Sequence, residues 1–231
     1  MTPRQERTKR VFDAAAAAAG LVVLAPLLAV AVLAARRSTG LPGLFRQTRV
    51  GRGGRTFEVV KVRTMRPVPG VTTCVTADDD PRITPLGRLL RKTKVDELPQ
   101  LWNVVRGDMS LVGPRPDVPR QIALTPEPHR TELLAMRPGL TGPASLKYRD
   151  EEAMLAAADD PQRLNDAVIW PDKVRINLEY ARRWTLLGDL RCLAETAFGV
   201  RGEERGERRE SAERSPLPHP PSPLHQPRKA A

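Results

Sequence analysis

Residues 14 to 35, AAAAAAGLVVLAPLLAVAVLAA, are an apolar run of 22 positions without one charged side chain. A helix of that length reaches across the hydrocarbon of a bilayer. Both flanks are basic: Arg4, Arg7, Lys9 and Arg10 precede the run, and Arg36, Arg37, Arg46, Arg49, Arg52 and Arg55 follow it. Positive charge marks the cytoplasmic face, so two basic flanks fit a segment that enters and leaves on one face better than a crossing. Pro26 lies near the middle. It removes a backbone donor and kinks a helix, and the carbonyls it frees need compensation in lipid. Two readings stay open, a spanning helix with a tolerated proline and a re-entrant helix hairpin bent at Pro26. Either one binds the chain to a membrane.

Past the break STGLPG (38 to 43), the pattern shortens. LFRQTRV and the β-branched TFEVVKVRTM (56 to 65) predict two strands around the turn VGRGGR (50 to 55). At a period of two, Phe57, Val59, Lys61 and Arg63 share one face, which on pattern alone reads as a solvated edge strand. Residues 66 to 82 read as a loop whose Asp78, Asp79 and Asp80 form a solvated acidic turn more simply than a divalent-cation site. LGRLLRKT (86 to 93) predicts a short helix. DELPQLWNVVRG (96 to 107) predicts a second, opened by Asp96, with Pro99 tolerable only in its first turn. SLVGPRPDVP (110 to 119) and RPGLTGPAS (137 to 145) read as loops. Residues 151 to 169 read as helix broken around Pro161, followed by an amphipathic helix over 171 to 184 and the segment LLGDLRCLAETAFGV (186 to 200).

No internal repeat occurs. The final 31 residues hold seven basic side chains, five acidic ones and six prolines, the composition of a disordered tail. The organisation expected is a basic flank and membrane helix over 1–37, a cytoplasmic domain over 38–200 and a tail over 201–231. The fold class is α+β and mostly helical: a re-entrant membrane helix hairpin with a small catalytic domain of helices and a short β element.

Composition then limits the chemistry. The formal charge of +11 favours polyanionic partners: nucleic acid, anionic lipid or phosphorylated small molecules. Nine aromatic residues without a basic-aromatic stacking pattern argue against nucleic acid. Two cysteines, Cys74 and Cys192, are too few for a disulfide framework. Of three histidines, His219 and His225 fall in the tail, leaving His129 alone in the body. Catalysis must therefore run on carboxylates, Lys, Arg and a hard cation held by oxygen.

One stretch concentrates those groups. In RLLRKTKVDELPQ, residues 88 to 100, Arg88, Arg91, Lys92 and Lys94 precede the adjacent acids Asp96 and Glu97. Asp96 as a helix N-cap with Glu97 against the helix dipole accounts for the acids. It does not account for the cations. The same geometry keeps a carboxylate ionised and binds anions, as a nucleophile attacking phosphorus requires. Physics alone leaves both readings open.

The chain resembles the monotopic phosphoglycosyl transferases, bacterial sugar transferases that begin glycan assembly on a polyprenyl phosphate. The matching stretches are KRVFD, KVRTM (61 to 65), DDDPRITPLGRLLRKTKVDELPQLWNVVRGDMSLVGPRP (78 to 116), RPGLTGPASLKYRDEE (137 to 152) and PDKVRINLEYARRWTLLGDL (171 to 190). Together they span roughly residues 8 to 198. The resemblance implies a re-entrant membrane helix and a catalytic Asp-Glu dyad, here Asp96 as nucleophile and Glu97 as its partner. It implies a nucleotide diphosphate-sugar donor, usually a UDP-sugar, loss of UMP, a phosphosugar held covalently on the Asp, and transfer to polyprenyl phosphate with Mg2+. Asp96 and Glu97 are also the candidate Mg2+ ligands.

Lys61, Arg63, Arg88, Arg91 and Arg115 become candidates for phosphate binding. Lys61 and Arg91 match motif positions; Arg63 and Arg88 rest on charge and spacing; Arg115 stands in a stiff GPRP loop suited to bidentate phosphate contact. The implied location is the inner membrane of a bacterium, with the catalytic domain in the cytoplasm and membrane lipid as a partner. A homo-oligomer is compatible with the sequence. Departures are Pro143 where many members have an aromatic residue, Asn177 where many have an acid, and Ala25-Pro26 where some have Ser-Pro. Two other readings stand beside the enzyme: a non-catalytic basic scaffold anchored to anionic lipid, and an inactive relative.

Overall fold

The structure is a computed structural model and describes residues 1–68 and 80–199. Cys74, Asp78, Asp79, His219, His225 and the tail from residue 200 lie outside the described residues. The described chain is mostly helical, with two small two-stranded sheets.

Helix α1 (Pro3–Thr39) begins at a capping box, in which Thr2 and Gln5 satisfy one another's backbone N–H groups. It ends at Gly40, whose φ of +72° needs no side chain in the way. Its 37 residues make a rod of roughly 55 Å. Pro26 lies inside the rod and does not divide it into two helices. One stripe of α1 is buried on both sides of that proline, at Lys9, Asp13, Ala17, Ala31 and Ala35. The opposite face is apolar and open: Val22 and Val23 are each 76% exposed, Val30 65% and Leu33 56%.

Strands β1 (Leu44–Val50) and β2 (Thr56–Val62), where two strands were expected, pair antiparallel with Phe45 opposite Lys61. The second strand ends at Val62, three residues before the expected limit, and the Arg63 N–H still bonds the Gly43 carbonyl at 2.7 Å. Helix α2 (Pro85–Lys92) is capped by the Thr84 hydroxyl and packs its first turn on the segment after β2. A Cβ at Gly87 would lie 2.1 Å from the Thr64 carbonyl oxygen, which only glycine avoids. Ala31 and Ala35 of α1 pack with Val62 and Leu90.

The single helix predicted over 96–107 is two pieces, a 3₁₀ helix at Val95–Gln100 and α3 (Leu101–Arg106). Pro99 lacks the N–H that an α-helix would give to the Val95 carbonyl, and the turn tightens instead. Nor is Asp96 the cap: Lys94 holds that position, at φ +57°. That left-handed conformation costs a residue with a Cβ roughly 1 kcal/mol. It turns the chain sharply from α2 into the acidic pair.

Strands β3 (Ser110–Val112) and β4 (Gly139–Thr141) pair parallel where loops were expected. Three residues carry no readable period. Their pairing rests on a backbone approach in which a Cβ at Gly139 would sit 2.1 Å from the Gly113 nitrogen. Short helices α4 (Pro119–Ala123), α5 (His129–Leu134), α6 (Pro143–Lys147), α7 (Glu151–Ala156) and α8 (Pro161–Leu164) fill the connections. A π-helical turn at Asn165–Ile169 feeds α9 (Trp170–Arg182), and α10 (Leu186–Phe198) ends the described chain. Ala17, Val59, Leu101, Val104, Met109, Leu111, Val112 and Cys192 form the core between α1, the sheets and α10.

Two polar devices hold this core. Lys9 Nζ lies 2.5 Å from Asp189 Oδ2, while Tyr180 and Trp184 donate to the same carboxylate at 2.7 and 2.9 Å. The second is Asn103, 1% exposed, whose side chain takes the Val60 N–H at 3.2 Å and donates to the Glu58 carbonyl at 2.7 Å. It stands in for a neighbouring strand at the edge of β2. Replacing it, Asn103→Ala, strands both backbone groups and is expected to cost about 2–4 kcal/mol in a denaturant titration. Exposed Arg106→Ala should stay within about 0.5 kcal/mol of the unmutated chain.

Candidate active site

The carboxylates at 96 and 97 come from the 3₁₀ helix, and three other segments deliver cations to them. From β2, Lys61 Nζ reaches Glu97 Oε1 at 2.9 Å. From the loop after β3, Arg115 bonds both Glu97 oxygens, to Oε2 at 3.2 Å. That fork is the bidentate contact expected of Arg115, made here to Glu97. From α2, Arg91 lies close enough to act electrostatically on Asp96, and its guanidinium bonds Glu152 of α7.

The two acids differ sharply in charge state. Burial would raise the Glu97 carboxyl, but Arg115 and then Lys61 outweigh it and hold it far below the usual carboxylate range. Glu97 is a fixed anion. Asp96, 5% exposed, has an Oδ1 without a hydrogen-bond partner. Burial first and the Glu97 charge second push it up to about 6, against the pull of Lys61, Arg91 and Lys94. Of the two clamping cations, Arg115 is the firmer. Burial lowers the Lys61 ammonium by more than Glu97 restores, whereas the Glu97 charge raises Arg115.

The structure therefore gathers Asp96, Glu97, Lys61, Arg91 and Arg115. It does not gather the other two candidates. Arg63 donates to the Pro42 carbonyl at 2.7 Å and covers the Phe45 ring at 5.3 Å. Arg88 is exposed on α2, and its side chain has no hydrogen bond or ion pair among the described residues. Asp80 is a partner for Arg82, with Oδ1 2.9 Å from Nε.

Residues from distant segments complete the surroundings. Lys173 of α9 contacts both oxygens of Glu151 at 2.7 Å and lies 5.7 Å from the Tyr148 ring centroid. Asp117 is pushed up by burial, and Lys173, Arg49 and Arg115 pull against that shift. Asn177 is buried with Oδ1 unpartnered, in a cavity of about 20 Å³ that Arg115 and Asp117 also line. No spacing in the sequence announces these; α9 supplies two of them from more than 50 residues away.

Among the described residues no group of three His, Cys, Asp or Glu side chains could hold a metal ion. Both Glu97 oxygens are engaged by cations. A divalent cation at the pair would have the Asp96 carboxylate, which no cation engages directly, and would need its other ligands from a bound substrate.

The shift of Asp96 makes a stability prediction. Its folded value is about 6 against an ordinary 3.8, so the unfolded chain loses that proton first and folding stability falls as pH rises between them. Asp96→Asn removes the penalty. Its Tm is expected above that of the unmutated chain at pH 7.5, with the difference vanishing below about pH 4, followed by calorimetry across that range.

Comparison with known proteins agrees with the geometry. A family profile described as bacterial sugar transferase matches residues 4–202. A UDP-glucose:undecaprenyl-phosphate glucose-1-phosphate transferase of Caulobacter vibrioides is 38% identical over 195 residues, covering 81% of this chain and 67% of that protein. The exopolysaccharide production protein PSS of Rhizobium leguminosarum bv. phaseoli is 36% identical over 199 residues, 81% of this chain and 92% of that protein. An undecaprenyl-phosphate glucose phosphotransferase of Komagataeibacter xylinus is 38% identical over 192 residues, and the match spans 34% of its length. With the profile covering nearly all of the described residues, this chain belongs to the bacterial sugar transferase family.

Proposed function

We propose that the protein transfers a sugar 1-phosphate from a UDP-sugar to a polyprenyl phosphate, with Asp96 as a covalent nucleophile. The observation that carries this reading is the asymmetry of the pair. Glu97 is ionised and fully engaged, and Asp96 beside it keeps an oxygen free of any partner. A scaffold for anionic lipid has no use for a buried, unpartnered carboxylate, which costs stability.

In the reaction proposed, an Asp96 oxygen forms a bond to the sugar-bearing phosphorus. The bond from that phosphorus to the bridging oxygen breaks, and UMP leaves with the electron pair. A phosphate oxygen of the polyprenyl carrier then attacks the same phosphorus. Asp96 departs as a carboxylate, and the carrier holds the sugar through a diphosphate. Lys61, Arg91 and Arg115 face the phosphoryl oxygens, where positive charge stabilises the charge that develops. An incoming diphosphate competes with Glu152 for Arg91 and with Glu97 for Lys61 and Arg115. Were Mg2+ bound, the Asp96 carboxylate and the donor's own oxygens would hold it, and it would shield the diphosphate charge. Two of the relatives above are named for undecaprenyl phosphate, one of them also for UDP-glucose, and the third for exopolysaccharide production, which supports a UDP-hexose donor and a role in exopolysaccharide assembly.

Packing supports one membrane arrangement over another. Lys9 and Asp13, before the apolar run, and Ala31 and Ala35, near its end, rest on the same domain. A rod crossing the bilayer would carry those two ends to opposite faces. We place α1 within one leaflet instead, with its exposed valines in lipid and both basic flanks at the cytoplasmic surface.

UMP release from a panel of UDP-sugars, with polyprenyl phosphate and Mg2+, tests the reaction. Release from one donor is expected, with Asp96→Asn lowering it at least a thousandfold and trapping no phosphosugar on the chain. Full activity in Asp96→Asn would overturn the assignment. In the unmutated enzyme kcat/KM for the donor should fall about tenfold per unit below pH 6, as Asp96 takes up its proton. Arg115→Lys keeps one charge and loses the fork, so the same profile should shift to higher pH as Glu97 loses its clamp.

A further inference from the structure

A cavity of about 320 Å³ lies on another part of the domain, beside the first three turns of α1. Its walls come from α1 (Glu6, Lys9, Arg10, Asp13), the turn after β1 (Arg52), the end of α5 and the segment after it (Glu132 to Arg137), and α9 (Tyr180 to Arg182). None of the residues around Asp96 and Glu97 lines it.

The charges on the wall do not cancel. Glu6 is bonded by both Arg52 and Arg137, so one guanidinium charge there is unmatched. Arg10 meets no carboxylate; it donates to the Val104 and Val105 carbonyls at 2.5 and 2.7 Å, at the end of α3. Arg182 is matched by Glu132. Against these cations stands one buried carboxylate. Asp13, 2% exposed, accepts the Ser110 hydroxyl at 2.6 Å on Oδ2, which lies 3.6 Å from Lys9 Nζ, and its Oδ1 is buried without a hydrogen-bond partner. Val112, Ala135, Met136 and Ala181 make the rest of the wall apolar. The cavity thus offers surplus positive charge, one buried acceptor for a hydroxyl, and an apolar lining. Its α1 wall ends at Asp13, where the apolar run of α1 begins, and Val11 on the same turn is 70% exposed.

We propose that this cavity binds the hydroxyl-bearing phosphodiester headgroup of an anionic glycerolipid. The phosphate faces Arg52, Arg137 and Arg10, the headgroup hydroxyl donates to Asp13, and the acyl chains leave along the exposed face of α1. Such a site ties the domain to the membrane surface at one defined rotation about α1, which diffuse attraction of basic flanks does not do. It rests on the placement of α1 in lipid proposed above and is independent of the chemistry at Asp96.

The full chain would be reconstituted in nanodiscs of equal parts phosphatidylglycerol and phosphatidylcholine, released in mild detergent, and weighed by native mass spectrometry. One retained phosphatidylglycerol per chain is expected, with phosphatidylcholine retained at least tenfold less. Arg52→Gln with Arg137→Gln should abolish retention. Arg36→Gln with Arg37→Gln, the same loss of charge at the other end of α1, should leave it. Ala135→Trp fills the cavity without touching a charge and should also abolish retention, which covers the case where the arginine variants fail to fold. Displacement of the lipid by soluble glycerol 3-phosphate would assign the affinity to the headgroup, and its failure would assign it to headgroup and chains together. Equal retention in both arginine pairs, or no preference between the two lipids, would overturn the site. Flotation of the unmutated chain with vesicles is scored separately: its failure overturns the placement of α1 and the site with it.

Discussion

The double ion pair at Glu97 is the contact on which the rest of the site depends. Lys61, Arg115 and Arg91 are brought together from β2, the loop after β3 and α2, and like charges gathered in that way repel. One carboxylate with both oxygens engaged offsets two of them and fixes three chain segments against each other. Removal of such a partner from a mostly buried cluster leaves uncompensated charge, typically at a cost of about 3–5 kcal/mol. The arrangement also decides what Asp96 is. With Glu97 permanently negative beside it and little water around it, Asp96 sits near its own ionisation point, while the cations keep it from going higher.

The same economy governs α1. An apolar helix in lipid gains nothing from burying more apolar surface against protein, so its attachment relies on close packing and polar contacts. Small residues line the contact, with Ala17, Ala31 and Ala35 buried and Gly20 one methyl from Leu101. The Lys9, Asp13 and Asp189 group closes one end. Arg10 serves the protein side as well, donating to the Val104 and Val105 carbonyls at the end of α3. The basic residues before the apolar run are therefore not all alike. Lys9 and Arg10 are structural, and Arg4 and Arg7 remain on the surface.

Much of this was legible in the chain. β-Branched content and turn signals located β1 and β2, a predicted short helix coincides with α2, an amphipathic pattern located α9, and the basic run marked Asp96 and Glu97. Legibility failed where an element is shorter than the period that would reveal it, as in β3, β4, α4 and α5. It failed again where one backbone detail overrides a pattern. Pro99 with Lys94 turned a predicted helix into a 3₁₀ turn. Arg63, two residues from Lys61, directs its guanidinium to the Pro42 carbonyl and the Phe45 ring, contacts that spacing does not announce.

By itself the sequence determined the long apolar helix, the mostly helical class and the basic run that ends on Asp96 and Glu97. These follow from local composition and spacing, which need no neighbour to be read. Only the tertiary structure decided which cations reach the pair, which of the two acids is neutralised, and how both ends of α1 rest on one domain. Those depend on contacts between residues tens of positions apart, such as Glu97 with Lys61, Arg91 with Glu152 and Lys9 with Asp189. A charge in a chain announces its sign. Its partner, its burial and hence its ionisation belong to the folded surroundings.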